Sequence, residues 1–194
     1  MKTLIFASQN ENKAREIEFA LDQQLKVVTL AAMDYHDDIP ETAETLEGNA
    51  LLKARTIFEE FGQACFADDT GLEVVALNGA PGVYSARYAG EEKSAKANME
   101  KLLLELENEP NRKAQFRTVI ALIDENGEHL FEGKVEGSIA FEPSGNEGFG
   151  YDPIFIPENE TRTFAEMSLE EKNRLSHRKR AVEKMRNQLL NSSK

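Results

Sequence analysis

The 194-residue chain lacks the features that several classes of protein require. Cys65 is its only cysteine, which excludes an intrachain disulfide framework and a CxxC metal pattern. We therefore expect a protein made in a reducing compartment. No segment approaches the roughly 20 apolar residues that span a bilayer, and the apolar run within residues 1–7 is too short for a secretory signal. The expectation is a cytoplasmic protein without membrane contact.

Positive charge is also scarce. The chain has 23 Lys and Arg against 35 Asp and Glu, for a formal net charge of −12. Nucleic-acid binding depends on a large cationic surface, so we expect no nucleic-acid partner. A small anionic ligand needs only a local cluster of cations, and the last quarter of the chain contains Lys172, Arg174, His177, Arg178, Lys179, Arg180, Lys184 and Arg186. A solvated helix face is the simpler interpretation of such a run.

The sequence contains no segment of linker-like composition and no internal repeat. We therefore expect residues 1–194 to form a single domain, with disorder confined to the last few residues. In the first third of the chain, the pattern alternates between strands and helices. It predicts a strand over residues 3–7, a helix with Ala14, Ile17 and Leu21 on one face, a strand over residues 25–30, and a helix over residues 42–61 that ends before Gly62.

The remaining segments add strands, a hairpin and further helices. They are strands 64–67 and 72–77, a helix through Leu102, Leu103 and Leu106, strands 116–123 and 129–139 around Asn126-Gly127, and a basic helix carrying Ala181, Met185 and Leu189. Two capping boxes, Thr163 with Glu166 and Ser168 with Glu171, precede that helix. Because a hairpin interrupts the alternation, the predicted class is α/β, with a mixed β-sheet flanked by helices.

Adjacent carboxylates at Asp68 and Asp69 follow an apolar run that begins at Phe66, and we expect them where that strand meets a turn. Successive strand side chains point to opposite faces, so the two can differ in role. With Glu41 they are candidates for a hard oxygen-ligand site of the kind Mg²⁺ prefers. An Asx-type turn leading into Gly71 explains the pair equally well.

The turn Ser8–Lys13 lies between the first strand and the first helix. Backbone N–H groups at a helix N-terminus suit a phosphate, and Lys13 adds a positive charge. The segment is not a Walker loop, because GxxxxGK[ST] is absent. A simple helix cap at Ser8 or Asn10 is the alternative.

A glycine-rich segment, residues 145–153, contains Phe149, Tyr151 and Asp152. Glycines let backbone approach a ligand, aromatic rings stack on a base, and a carboxylate accepts hydrogen bonds from a base or sugar. A glycine-rich turn with core aromatics is the alternative.

Lys172, His177 and Arg178 are donors suited to polyphosphate or to a ring carbonyl. His177 alone also fits a simple helix-start residue.

Together these motifs resemble the inosine triphosphate pyrophosphatase family, also called non-canonical purine nucleoside triphosphate pyrophosphatases. The resemblance covers almost the whole chain. It lies in segments 66–72, 79–90, 149–155 and 176–178. Further motifs occur in the same order as in the family, namely Ser8-x-Asn10-x-x-Lys13, Asn49-Ala50-x-x-Lys53-Ala54, and residues 165–167 and 171–173. It implies hydrolysis of ITP, dITP and XTP to the monophosphate and pyrophosphate, with Mg²⁺, by a homodimer whose α/β protomers have two lobes and a central cleft.

The resemblance also implies roles for individual residues. Asp69 would be the water-activating base and a metal ligand, Glu41 a further ligand, and Asp68 a supporting group or second metal site. Phe149 would stack on the base, while His177 and Arg178 would read the 6-oxo edge. The substrate contacts would be Ser8, Gln9, Asn10, Glu11, Asn12, Lys13, Lys53, Thr70, Phe149, Gly150, Tyr151, Asp152, Lys172, His177 and Arg178, with Arg87 a weaker candidate.

Two positions depart from the family pattern. Many relatives have Glu where this chain has Gly48, which removes an acid near the metal, and Lys179 replaces a glycine after the His-Arg pair. Two other functions fit the sequence: a pyrophosphatase for modified pyrimidine triphosphates, and a non-catalytic purine-nucleotide sensor.

Overall fold

The computed structural model of the protein describes residues 3–21 and 25–191. The expected disorder of the last few residues concerns 192–194, which lie outside this range. The strands are β1 (Thr3–Phe6), β2 (Lys26–Thr29), β3 (Cys65–Val74), β4 (Lys113–Asp124), β5 (Gly127–Ile139) and β6 (Phe155–Pro157). The α-helices are α1 (Glu11–Leu21), α2 (Leu46–Phe61), α3 (Ala95–Glu105), α4 (Leu169–Leu175) and α5 (His177–Asn191).

These strands form a mixed sheet in the order β2-β1-β3-β4-β5-β6. β1 is parallel to β2 and β3, whereas β5 is antiparallel to β6. The two-residue turn Glu125-Asn126 joins β4 to β5, a connection that only antiparallel strands permit, and Asp124 Oδ1 accepts a hydrogen bond from the Asn126 N–H at 2.8 Å. The α/β class and the hairpin are therefore confirmed.

The described residues divide into two compact units, each with its own core. The first unit comprises the chain up to Asp69, Thr118–Gly133 and the chain from Arg178, and the second comprises Thr70–Arg117 and Lys134–His177. Phe6 and Phe66 stack in the first core with ring centroids 5.0 Å apart. In the second core, the ring centroids of Phe116 and Phe155 are 4.6 Å apart. The central cleft stays a prediction.

Local capping determines where the first two helices begin. Asn10 Oδ1 accepts from the Lys13 N–H at 3.1 Å before α1, and Thr45 Oγ1 accepts from the Gly48 N–H at 3.1 Å before α2. The predicted start of the second helix at Thr42 is wrong because the Thr45 cap fixes the first turn at Leu46. Its predicted end is confirmed, since Gly62 adopts the left-handed conformation with φ +60.

The prediction of a turn at the paired aspartates is wrong. The two strands expected at residues 64–67 and 72–77 are one ten-residue strand, β3, and Asp68 and Asp69 lie inside it. Gly71 allows this continuity, because a Cβ there would approach the Gly82 carbonyl oxygen within 2.6 Å. The chain turns only at Val75–Leu77, which is a 3₁₀ helix.

The C-terminal predictions are confirmed. Thr163 with Glu166 caps a 3₁₀ helix, Phe164–Glu166, and Ser168 with Glu171 caps α4, each through a complete capping box. α5 buries Ala181, Met185 and Leu189 along one stripe. No helix within the described ranges is long and apolar enough to cross a membrane.

Candidate active site

In the first unit, α2 presents two polar side chains to a buried environment. Asn49 and Lys53 are one helical turn apart and are only 0% and 6% exposed. Lys53 Nζ lies 3.4 Å from Asp69 Oδ1 and also hydrogen-bonds Glu41 Oε1. One ammonium group therefore holds two of the predicted metal ligands together.

Asn49 orients both the base candidate and the segment that carries Glu41. Its Nδ2 donates to Asp69 Oδ2 at 3.2 Å, and its Oδ1 accepts from the Ala43 N–H at 2.9 Å. Because both ends of the amide are engaged, the rotation of the Asp69 carboxylate is restricted.

Asp69 has the electrostatics expected of a base. Burial raises the pKa of its carboxyl group, with further increases from Glu41 and Asp68, although Lys53 and Lys13 oppose them. Burial also lowers the pKa of Lys53, but Asp69 and Glu41 outweigh it and the net pKa is raised. Lys53 therefore stays charged beside a carboxylate that binds a proton more readily than usual.

Asp68 belongs to a different network, with alternating charges. Lys13 Nζ lies 3.1 Å from its Oδ1, and Arg178 Nε donates to its Oδ2 at 3.2 Å. Arg178 Nη1 in turn donates to Glu16 Oε2. Burial opposes the charged form of Asp68, but Lys13 and Arg178 hold the pKa of its carboxyl group well below the usual range. Asp68 is thus held in its charged form between Lys13 and Arg178, although burial also lowers the pKa of Lys13.

The predicted phosphate loop has the conformation of a capped helix start. Ser8 Oγ accepts from the Asn10 N–H at 3.2 Å, and Gln9 Nε2 donates to the Asp37 carbonyl at 3.2 Å. Glu11 and Asn12 are exposed in the first turn of α1. The capping interpretation is confirmed for Asn10, whereas Ser8 bonds a backbone N–H that precedes the helix. The capped turn keeps its leading N–H groups at a helix N-terminus.

In the second unit, a buried lysine holds the glycine-rich segment. Lys172 Nζ donates to Asp152 Oδ2 at 2.5 Å, and the same oxygen accepts from the Phe149 N–H at 2.8 Å. Lys172 Nζ also lies 4.9 Å from the centroid of the Phe149 ring. Gly148 permits this turn, because with φ +73 a Cβ would lie 2.1 Å from Asp152 Oδ2.

Tyr151 and His177 lie in the core of the second unit. The Tyr151 hydroxyl donates to the Ser85 carbonyl at 2.9 Å, and the His177 ring stacks on Phe116 with centroids 4.7 Å apart. Gly150 has φ +63 in the same turn as Tyr151. Their burial means that any contact with a ligand is made from a fixed position.

The other second-unit candidates are less buried. Thr70 follows Asp69 directly in β3 and is half-buried. Arg87, the weaker candidate, has its guanidinium 5.3 Å from the centroid of the Tyr84 ring.

Glu16 and Asn49 were missed as site residues. Asn49 had a usable signal, because it lies four residues before Lys53 on the same helix face. Glu16 had none, since its partner Arg178 is 162 positions away. Only the tertiary structure brings that pair together.

The departure at Gly48 has a structural explanation. A Cβ at this position would lie 2.6 Å from the Ala43 Cβ, so the Ala43 methyl group occupies the space that a larger residue at 48 needs. Lys179, the second departure, lies at the surface and pairs with Glu183 at 3.4 Å.

Comparison with known proteins found relatives that match almost the whole chain. The model of a family described as the Ham1 family matches residues 4–188. A protein of Porphyromonas gingivalis named dITP/XTP pyrophosphatase is 57% identical over 191 residues, 98% of each chain. One of the same name from Flavobacterium psychrophilum is 55% identical over 179 residues, 92% of this chain and 94% of the relative. The structure of a Staphylococcus aureus Ham1 protein superposes with a TM-score of 0.88 at 40% identity, covering 100% of both chains.

Proposed function

Because the chain belongs to the Ham1 family, we propose that it hydrolyses non-canonical purine nucleoside triphosphates, namely ITP, dITP and XTP, to the monophosphate and pyrophosphate. The observation that carries the proposal is the 57% identity, over 98% of both chains, to a protein named dITP/XTP pyrophosphatase. The Asn49–Asp69–Lys53–Glu41 cluster supplies groups suited to that reaction.

Asp69 is the proposed base. Water attacks phosphorus at the anhydride that links the nucleoside monophosphate to pyrophosphate, the P–O bond to pyrophosphate breaks, and the Asp69 carboxylate accepts the proton of the water. The raised pKa of Asp69 makes it a stronger base than an ordinary aspartate. Asn49 holds the carboxylate in one orientation, and charged Lys53 opposes the negative charge that the phosphates bring.

Glu41 and Asp69 are the proposed ligands of Mg²⁺. Their oxygens converge on Lys53 Nζ, so the two carboxylates already lie close together. Across residues 3–21 and 25–191, no group of three or more His, Cys, Asp or Glu side chains could hold a metal ion. Mg²⁺ fits such a site, because it is commonly bound by one or two carboxylates with water and substrate phosphates, and when bound it neutralises phosphate charge. Asp68 is a weaker ligand, since Lys13 and Arg178 engage its oxygens.

The proposed phosphate and base contacts combine cations with polar and aromatic groups. They are the Ser8–Lys13 turn, Lys53, Thr70, Phe149–Asp152, Lys172, His177 and Arg178. Phe149 offers a ring face for stacking, and His177 and Arg178 are the proposed readers of the 6-oxo edge.

The test is pyrophosphate release from a panel containing ITP, dITP, XTP, ATP, GTP and a modified pyrimidine triphosphate, with Mg²⁺ or with EDTA. We expect release from the first three, a lower kcat/KM for ATP, and loss of activity in EDTA. A preference for the pyrimidine triphosphate would instead indicate a pyrophosphatase for modified pyrimidine triphosphates. Tight binding of ITP without pyrophosphate release would indicate a non-catalytic purine-nucleotide sensor.

The family resemblance also supports a cytoplasmic homodimer as a proposal. Cys65 is a buried free thiol, as a reducing compartment allows. For the homodimer, the relevant observation is exposed apolar surface, since Phe141 and Leu104 are 80% and 70% exposed. Light scattering of the purified protein measures the oligomeric state, and a monomer at micromolar concentration would contradict the dimer.

A further inference from the structure

The short helix α4 and its C-cap bury three polar side chains. Leu169 is 41% exposed, whereas Lys172, Asn173 and the C-cap Ser176 are 3%, 2% and 1% exposed. The spacing of these three positions puts them on one side of the helix. Leu175 is partly buried and packs against the second core, so α4 buries these polar side chains together with an apolar one. Polar groups buried in this way need hydrogen-bond partners.

Asn173 is the member of this face whose hydrogen bonds are incomplete. Lys172 Nζ donates to Asp152 Oδ2 at 2.5 Å. By contrast, both Oδ1 and Nδ2 of Asn173 are buried, and neither has a hydrogen-bond partner within the part of the chain that the structure describes. Leaving a buried amide unpaired costs free energy, and native proteins do so rarely. A molecule bound beside α4 would supply the missing partner.

The chemistry of the amide restricts what that molecule is. A carboxamide offers an acceptor at Oδ1 and a donor at Nδ2, side by side. Phosphate oxygens only accept, so they would satisfy Nδ2 and leave Oδ1 unpaired. A 6-oxopurine presents N1–H beside C6=O, which satisfies both atoms at once. Lys172, the preceding residue, lies against the Phe149 ring that is the proposed stacking surface for a base.

We propose that Asn173 contacts the N1–H and C6=O edge of the purine and so adds a specificity-determining residue to the substrate site. This inference rests on the proposed function, because the 6-oxopurine triphosphates are its substrates. It extends the predicted base-reading set, His177 and Arg178, to α4 itself.

The test pairs a variant with a matched substrate. Asn173→Leu removes both hydrogen bonds while keeping the size of the side chain, and purine riboside triphosphate lacks the 6-oxo group and the N1 hydrogen. For Asn173→Leu we expect kcat/KM to fall about tenfold or more with ITP, but less than about threefold with purine riboside triphosphate, as two ordinary hydrogen bonds would require. The melting temperature of the ligand-free variant should equal or exceed that of the unsubstituted protein, because an unpaired buried amide has been replaced.

Arg174→Gln is the control, since Arg174 follows Asn173 on α4 but is exposed and pairs with Glu170 at 2.5 Å. It should leave both substrates unaffected. Asn173→Ala provides a second variant if leucine prevents folding. Three results would overturn the inference: equal losses on the two substrates, an unchanged kcat/KM for ITP, or a lower melting temperature with unchanged discrimination between the substrates. Asn173 would then be a structural amide or the partner of a buried water. Absence of pyrophosphate release from ITP by the unsubstituted protein would instead remove the proposed function.

Discussion

Asp68 and Asp69 are adjacent on β3 but have opposite electrostatic environments. Lys13 and Arg178 lower the pKa of Asp68, whereas burial raises the pKa of Asp69. The alternation of strand side chains separates the two networks. Asp68 is therefore a counter-ion of Lys13 and Arg178, and Asp69 is the proposed proton acceptor.

Replacing the proposed base should abolish turnover without unfolding the protein. For Asp69→Asn we expect kcat to fall at least about 100-fold, the lower range for a general base. The fold should persist, because burial already disfavours the charged form of Asp69. Steady-state kinetics with circular dichroism measure both effects, and a folded variant with near-normal kcat would remove Asp69 as the base.

Replacing Glu16 should affect stability strongly. Glu16 is 4% exposed, and its carboxylate pairs with the buried guanidinium of Arg178, which also pairs with Asp68. Without the charge of Glu16, Arg178 loses one of these buried ion pairs. Removal of one partner of a buried ion pair costs about 3–5 kcal/mol, and we expect Glu16→Gln to lower the free energy of unfolding by that order.

Urea unfolding at neutral pH provides the measurement. Glu128→Gln is the control, because Glu128 makes a solvent-exposed pair with Arg55 in the same unit and should change stability little. Equal effects of the two substitutions would contradict the importance of the buried network.

At the scale of elements, α4 depends on its capping box because it has only seven residues. Ser168 Oγ accepts from the Glu171 N–H at 3.2 Å, and Glu171 Oε2 accepts from the Ser168 N–H at 2.9 Å. We expect Ser168→Ala to lower the free energy of unfolding by about 1 kcal/mol. A loss of nucleotide affinity should accompany it, since Lys172 lies on this helix. Chemical unfolding and nucleotide titration measure the two effects, and an unchanged unfolding midpoint would refute the role of the cap.

The same box predicts a pH dependence. The backbone N–H of Ser168 and the Arg162 side chain lower the pKa of Glu171 from its ordinary value of 4.5. A carboxyl group whose pKa is lower in the folded state stabilises the protein above pH 4.5, and that contribution disappears as the pH falls through the lowered pKa. Glu171→Gln should therefore destabilise the protein at neutral pH and have no effect in strong acid. A constant difference in melting temperature across that range would contradict this account.

At the scale of the whole molecule, the net charge of −12 opposes binding to polyanions. The cations proposed to contact phosphate lie beside acids, as Lys53 lies beside Glu41 and Asp69. We expect binding to a duplex DNA oligonucleotide weaker than the roughly 10⁻⁴–10⁻⁶ M typical of non-specific DNA-binding proteins at physiological salt. Fluorescence anisotropy measures it, and micromolar affinity would require a cationic surface that the composition does not suggest.

The sequence by itself determined the elements that depend on neighbouring residues. Helical periodicity, the Gly62 stop, the Asn126-Gly127 hairpin and both capping boxes are interactions within a few positions, so local pattern was sufficient to predict them. Family resemblance added the proposed site residues. The unbroken course of β3 was not predictable, because it requires Gly71 to lie against Gly82, which local sequence does not report.

Only the tertiary structure decided how the polar and charged side chains pair. Glu16 with Arg178, Asp68 with Lys13, and Asn49 with Asp69 join different elements, and the first of these pairs spans 162 positions. The physical reason is that burial makes each unpaired charge costly, so the final partners depend on which side chains the fold removes from water together. The sequence supplied two neighbouring aspartates. The fold placed Lys13 and Arg178 on Asp68, whose pKa is lowered, and Lys53 beside Asp69, whose pKa is raised.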